Sequence, residues 1–260
     1  LVEVRQFKKL EKLIREKISK KDTDIFIHKI FNYKKQVIAA EILARIKDEE
    51  GNYIPAYKFI DVIKEKGLTR DFDLSILHNV KRNISLIKKF TDRIFINLFP
   101  SSFSDDKVVE EIKNLVKESK KHKVFIYFEI TEHEVATKED ILLLIKSGDI
   151  NVVFDDFGTG YTNFELIGDL SQNNKAKAVK IDGSIVKNML SNPNYKSIVK
   201  SITLFTTEIN LECIYEFIEN ENVFNQIIQM AEDLKIDKSK LGFQGFWLHK
   251  PTNILEEVES

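Results

Sequence analysis

Short apolar runs recur along this chain, with room for a helix between most of them, and that spacing constrains the fold more than any other feature. The runs occupy residues 24–30, 37–43, 93–98, 124–130, 150–154, 178–181, 211–215 and 241–248. They are rich in β-branched and aromatic residues, as buried strands are. Stretches of helical period fill 56–66, 70–89, 106–119, 138–146, 184–206 and 221–235. Strand alternating with helix eight times in about 250 residues predicts an α/β fold, a (β/α)₈ TIM-like barrel. A doubly wound open sheet would need a glycine-rich first turn, which is missing. Residues 1–20 place Val2, Phe7, Leu10, Leu13, Ile14 and Ile18 at helical spacing among lysines and glutamates. They read as an amphipathic helix leading in from an upstream segment. The expected division is therefore a linker helix over 1–22 and one barrel over 23–260. The first residue is Leu1 rather than Met, so the chain is expected to be a piece of something longer, and an anchor elsewhere is compatible with it.

Forty basic residues against forty-one acidic ones leave a net charge of -1. That balance argues against binding to long nucleic acid or to an anionic membrane. No apolar run approaches the ~18 residues of a membrane span. Cys213 is the single cysteine, which excludes an intrachain disulfide and a thiolate metal cluster and suits a reducing cytoplasm.

The acids stand at the ends of the strand-like runs. Phe125-Ile126-Tyr127-Phe128 leads into Glu129, Val152-Val153-Phe154 into Asp155 and Asp156, Val179-Lys180-Ile181 into Asp182, and Cys213-Ile214-Tyr215 into Glu216. Asn97 closes Ile94-Phe95-Ile96 in the same way, and Glu41 lies inside the run from Val37. In a barrel such ends converge on the C-terminal face, where active sites are built. Carboxylates packed together there would repel one another unless cations sat among them. Oxygen ligands without cysteine or a histidine pair point to hard metals, Mg²⁺ or Mn²⁺. The five histidines, His28, His78, His122, His133 and His249, are scattered without ligand spacing and read as surface or hydrogen-bonding residues. Two hard metals are the usual device for phosphodiester cleavage, and a buried lysine such as Lys180 suits an attacking hydroxide.

Six motifs carry a resemblance. Glu41-Ile42-Leu43-Ala44-Arg45, Asn97-Leu98-Phe99-Pro100, Glu129-Ile130-Thr131-Glu132, Asp155-Asp156-Phe157-Gly158-Thr159-Gly160-Tyr161, Lys180-Ile181-Asp182 and Gln244-Gly245 resemble, in order, those of the EAL-domain cyclic di-GMP phosphodiesterases. The Asp-Asp-Phe-Gly-Thr-Gly-Tyr block is the most specific of them. The resemblance implies that Glu41, Asn97, Glu129 and Asp155 hold one metal. It implies that Asp155 bridges to a second metal held with Asp156, and that Glu216 completes the surroundings. It makes Lys180, Glu216, Asp155 and Asp156 the catalytic set, with Lys180 orienting the water that attacks. Arg45 would grip a substrate phosphate, and Gln244 would help to place water or substrate. Glu132 would brace the loop after Asp156, with Asp182 and Glu219 in supporting roles. Only six of the forty basic residues are arginines, so Arg45 stands out as a planar fork that lysine cannot replace. Gly158 and Gly160 would let the loop turn sharply beside the metals. The tripeptide Asp156-Phe157-Gly158 also matches the magnesium-binding tripeptide of protein kinases, but their glycine-rich loop and His-Arg-Asp motif are absent.

The implied activity is hydrolysis of cyclic di-GMP to linear 5′-pGpG with two divalent cations, and the alternative is a weak or inactive domain acting as a cyclic di-GMP receptor. A homodimer is expected through Tyr161, Phe164, Leu166 and Ile167, soon after the loop that follows the paired aspartates. Departures from the family pattern bear on substrate fit and turnover. They are His28-Lys29 for a usual Gln-Pro, Ile42 inside the first motif, Ile46 after its arginine, Phe99 for a usual serine, and Phe217 for glycine. Strand alternation would point Phe217 away from Glu216 and bury it in the helix layer.

Overall fold

In a computed structural model, residues 1–257 are described; residues 258–260 of the expected barrel lie outside them. Nine strands form: β1 Asp24–Phe31, β2 Val37–Arg45, β3 Arg93–Ile96, β4 Phe125–Ile130, β5 Val152–Phe157, β6 Ala176–Ile181, β7 Glu212–Tyr215, β8 Leu241–Phe243 and the two-residue β9 Thr252–Asn253. β2 to β8 are parallel in chain order, and β1 lies between β8 and β2 and closes the barrel. The expected alternation fails at one point. β1 and β2 are joined by a hairpin and run antiparallel. The segment 32–36 is too short for the dozen or more residues a parallel crossover needs. It closes on itself instead: Asn32 Oδ1 accepts from Lys34 N and Gln36 N, both at 2.9 Å.

The helix layer also corrects the periodicity reading in detail. The stretch 184–206 is two helices, Gly183–Asn188 and Pro193–Glu208. Asn192 caps the second and Pro193 takes its first turn, a combination that starts a helix rather than continues one. The stretch 70–89 divides into Thr69–Arg82 and Ile84–Ile87. Helix Phe164–Gln172, capped by Asn163, fills a region where no helix was expected. The amphipathic helix at the start exists as Val2–Ser19, and it packs on the barrel: Ile14 and Ile18 are buried with Ile25 and Ile27 of β1.

Alternation along the strands stacks the barrel interior in layers. Ile30, Ala39, Phe95, Val153, Ala178 and Ile214 form a dry cluster with Tyr127 against it. In the seventh parallel strand, β8, Gly242 completes that layer, because a Cβ there would lie 3.1 Å from Ile214 and 3.3 Å from Ile30. Below it, on the floor, Arg93 Nη1 pairs with Glu212 Oε2 at 2.7 Å and Arg93 Nε donates to Ile38 O at 3.0 Å. One step up each strand, towards the parallel strands' C-terminal ends, come His28, Glu41, Asn97, Glu129, Asp155, Lys180, Glu216 and Gln244.

Candidate active site at the barrel mouth

Lys180 is the hub of that upper layer. It is 1% exposed, and its ammonium lies 2.8 Å from Glu41 Oε2, 2.8 Å from Glu129 Oε1 and 3.0 Å from Glu216 Oε1. Burial pulls its pKa down, but Glu129, Glu41 and Glu216 more than reverse that and hold it well above the usual lysine range. The acids divide in response. Glu41 pays the burial penalty yet is held at about 2, because the Lys180 charge and hydrogen bond outweigh it. Burial and the neighbouring Glu41 push Glu129 well up. Burial likewise raises Glu216 to about 7 despite Lys180. Asp155 is raised by burial, and Asp156 is raised to about 6 by burial and by Asp155 beside it. More negative charge is gathered here than one ammonium can neutralise.

The paired aspartates depend on a backbone irregularity. In a regular strand Asp155 and Asp156 would face opposite sides of the sheet. Asp156 instead adopts a left-handed φ of 53°, and the β5–β6 register shifts between Phe154 and Phe157. The turn is held by Thr159, whose Oγ1 donates to Asp156 O at 2.7 Å. Gly158 is needed as expected: its φ is +96° and a Cβ would meet Ile185 at 2.4 Å. Gly160 is not, since its φ is ordinary and open space surrounds it. Glu132 is buried at the start of the short helix Glu132–Thr137, its carboxyl raised by burial. Among the described residues no hydrogen bond joins it to the loop after Asp156; the loop's own Thr159 supplies the tie.

The other expected residues take less central places. Gln244 Nε2 donates to Glu41 Oε1 at 3.3 Å, and its main chain bonds Tyr215 O and Ile218 N at 3.0 Å each. Gly245 is obligatory, because any Cβ would sit 2.2 Å from Ile218 O. Arg45 caps β2 with its guanidinium 5.8 Å from the centre of the Phe26 ring and Nη1 donating to Ala44 O. Asn97 is exposed beside Arg45 in a groove of about 570 Å³ that also includes Asp73, Phe99 and Glu134. Asp182 caps helix Gly183–Asn188 through Ser184 N at 2.9 Å. Glu219 is exposed and makes no side-chain bond among the described residues.

Phe217 contradicts the expectation made for it. β7 ends at Tyr215, so strand alternation no longer governs the residue. It takes a left-handed φ of 64° and is 44% exposed at the mouth, rather than buried among the helices. Sequence reasoning left His28 among the scattered hydrogen-bonding histidines and the departures from the family pattern, and it passed over Asp73 altogether. His28 belongs to the same inward layer as Glu41, opposite it across the hairpin. Its Nε2 bonds His249 O at 2.9 Å, and burial lowers its pKa to about 4. The signal was available: His28 stands two residues before the core residue Ile30. Asp73, 1% exposed, accepts from Phe99 N at 2.8 Å and Ser102 Oγ at 2.5 Å, and burial raises it to about 7. Nothing in its local sequence distinguishes it from a surface acid on helix Thr69–Arg82.

Among the described residues, no three acidic, histidine or cysteine side chains stand ready as a metal cage; the carboxylates are drawn onto Lys180. The donor set nevertheless suits a hard cation. Glu129 Oε2 and Asp155 Oδ1 are buried and lack any hydrogen-bond partner, and such oxygens are the ligands a hard cation takes.

A closed α/β barrel with one antiparallel strand and a carboxylate-rich, lysine-centred C-terminal mouth defines the class. The chain belongs to the EAL domain family, whose profile matches residues 13–251. It is 26% identical over 224 residues to the cyclic di-GMP phosphodiesterase PdeF of Escherichia coli (strain K12), covering 84% of this chain and 28% of that protein. It is 31% identical over 220 residues to the cyclic di-GMP phosphodiesterase PdeA of Borreliella burgdorferi, covering 82% of this chain and 31% of that protein. The chain thus spans less than a third of either relative. Among solved structures, the EAL enzyme Bd1971 in its cAMP- and cyclic-di-GMP-bound form superposes with a TM-score of 0.79 at 21% identity, covering 99% of this chain and 69% of that one. That likeness shows the shared fold.

Proposed function

We propose that this chain is a divalent-metal-dependent phosphodiesterase that opens cyclic di-GMP to linear 5′-pGpG. The carrying observation is the buried Lys180 with Glu41, Glu129 and Glu216 on its ammonium and two orphaned carboxylate oxygens beside it. The relatives named cyclic di-GMP phosphodiesterases support the substrate.

Glu41, Asn97, Glu129, Asp155, Asp156 and Glu216 would hold two Mg²⁺ or Mn²⁺ ions. Bound there, the ions supply a water of lowered pKa and neutralise charge on the phosphate and the leaving oxygen. The chain's own residues do the positioning. Arg45 offers a guanidinium fork that matches two phosphate oxygens, steadied by the Phe26 ring. Lys180 keeps its proton and so acts as a donor that orients the attacking oxygen, not as a base. Gln244 holds Glu41 and fixes the direction of its carboxylate. The water oxygen would bond to one phosphorus in line as the P–O3′ bond breaks, with the water's proton released to solvent and one taken up from solvent by the departing 3′ oxygen. Asp182 lies beside Asp155 and Asp156, while Glu132, at the start of helix Glu132–Thr137, and Glu219, in the loop after Glu216, would act only indirectly.

The test is incubation of the purified chain with cyclic di-GMP and Mn²⁺ or Mg²⁺, with products separated by chromatography. Conversion to pGpG that stops with a chelator is expected. Tight binding without any conversion would replace the enzyme by the receptor. Two further proposals concern assembly. Helix Val2–Ser19 would relay signals from an upstream regulatory domain, since it is anchored to β1 by Ile14 and Ile18. A homodimer would use the exposed Tyr161 and Phe164, the latter edge-on to Phe205 at 4.9 Å. Ile167 and Leu166, also expected on that surface, belong to the barrel packing.

A further inference from the structure

Phe217 is a large residue kept in a conformation that favours glycine, and the surroundings over-determine it. Glu216 N, just before it, reaches towards Ile181 O at 3.5 Å. Just after it, Ile218 N donates to Gln244 O at 3.0 Å and Ile218 O accepts from Trp247 N at 3.2 Å. Gly245 packs on the Ile218 backbone where no Cβ would fit. The chain on both sides is thus pinned to the neighbouring strand ends, and the left-handed φ of 64° follows. Strain held this way concentrates at functional sites.

The ring is also seated. A Cβ at Gly183 would lie 2.9 Å from Phe217 Cβ and 3.3 Å from its Cγ, so the ring occupies the space a side chain at 183 would need. Lys187 Nζ lies over the ring, 5.8 Å from its centre, so a base stacking on that face would displace this flexible side chain towards the ligand's phosphates. Gly183 follows Asp182 after β6 and Phe217 follows Glu216 after β7, so the ring stands on the rim beside Lys180's partners. It remains 44% exposed, although the hydrophobic effect favours covering a phenylalanine. Burial in the core does not account for this residue.

We infer that Phe217 is a stacking platform for one purine base of the cyclic dinucleotide, and so a residue that determines affinity for this ligand class. The inference rests on the proposed substrate and deepens it. An aromatic face supports any nucleobase, and a neighbouring lysine suits a ligand that carries phosphates. The platform would act in binding and take no part in the chemistry at phosphorus.

The test uses a cyclic dinucleotide in which 2-aminopurine replaces one guanine, together with Phe217→Gly and Phe217→Trp. Stacking should quench the 2-aminopurine fluorescence on the parent protein. Phe217→Gly relaxes the backbone, so it should fold at least as stably; it should lose most of the quenching and raise KM for cyclic di-GMP about five- to twentyfold, with kcat changed far less. Phe217→Trp should keep both signals. Phe217→Gly with unchanged quenching and KM, or with a lower KM, overturns the inference; the second result would make the ring an obstruction. A parent protein that binds the probe without quenching also overturns it, while leaving the phosphodiesterase reading intact. A parent protein that neither binds nor hydrolyses cyclic di-GMP removes both.

Discussion

The floor and the mouth of the barrel are made by the same strands, yet only the floor satisfies itself. On the floor, Arg93 meets Glu212 and the Ile38 carbonyl, and an apolar layer from Ile30 to Ile214 closes above them. Two residues further along each strand, three carboxylates share one lysine. Among the described residues, the buried side-chain oxygens without a partner belong to Asp73, Glu129, Glu132 and Asp155, all on the mouth side. The left-handed residues carry part of the same contrast. Lys21, Lys123, Asn174, Asn210 and Lys235 each follow a helix end, the usual place for such a turn, and Lys35 turns the hairpin between β1 and β2. Asp156 and Phe217, both at the mouth, are required by neither a helix end nor a hairpin. Stability shapes one end; the other keeps unmet charge and strain for a ligand.

The strongest way to break this contrast is Asp155→Asn. At the proposed two-ion site an amide could not balance the dications, so turnover of cyclic di-GMP should fall at least about 10³-fold, roughly 4 kcal/mol of transition-state stabilisation. Steady-state kinetics within tenfold of the parent would make Asp155 a turn residue.

Next comes a matched pair, Lys180→Met at the mouth and Arg93→Met on the floor. Each strands buried or half-buried acids and should cost roughly 3–5 kcal/mol, somewhat less for the partly solvated floor pair. Melting curves with and without Mn²⁺ separate them. The ion should recover much of the loss at Lys180→Met, where the carboxylates await a cation, and none at Arg93→Met. Equal responses to the ion would erase the distinction between the two ends.

Asp73 sharpens the comparison through pH. Its folded pKa of about 7 lies above the ordinary 3.8. The folded state therefore holds a proton that the unfolded chain has lost between these values, and stability from this group falls as pH rises from about 4 to 7. Asp73→Asn should remove that slope, worth roughly 2–4 kcal/mol for a shift of about three units. Denaturant titrations at pH 5 and pH 8 that show the same slope in parent and variant would contradict the assignment.

The smallest effect is expected from Arg45→Lys. Replacing the fork by a point charge should raise KM about five- to tenfold, near 1 kcal/mol, with metal affinity almost unchanged. Unaltered KM and kcat would take Arg45 out of the site.

Much of this was legible without coordinates, because periodicity reports burial and strand ends report the mouth. The eight runs that close the barrel, the acids that terminate them and the lysine in Val179-Lys180-Ile181 were legible because buried strands read as short apolar runs rich in β-branched and aromatic residues, a local property of the chain. The family motifs then named roles for the same positions. The hairpin between β1 and β2 was legible too, in the few polar residues of 32–36, but counting eight repeats hid it. Helix Phe164–Gln172 was missed because only Ile167 and Leu170 are buried, too sparse a stripe to register as a period.

Other features have no local signature. That Glu41, Glu129 and Glu216 meet on one ammonium depends on closure of the sheet, which joins residues up to 139 positions apart. That Asp73 is buried depends on Phe99 and Ser102 arriving from the loop after β3. The left-handed turn at Phe217 depends on Gln244 and Trp247 gripping Ile218 across two strand ends. The amino-acid sequence by itself determined which side chains face inward and at what height, since alternation along a strand needs no partner. Only the tertiary structure decided which charges share a cation and which remain unmatched, because electrostatic energies depend on distance and desolvation, and a closed barrel sets both at once.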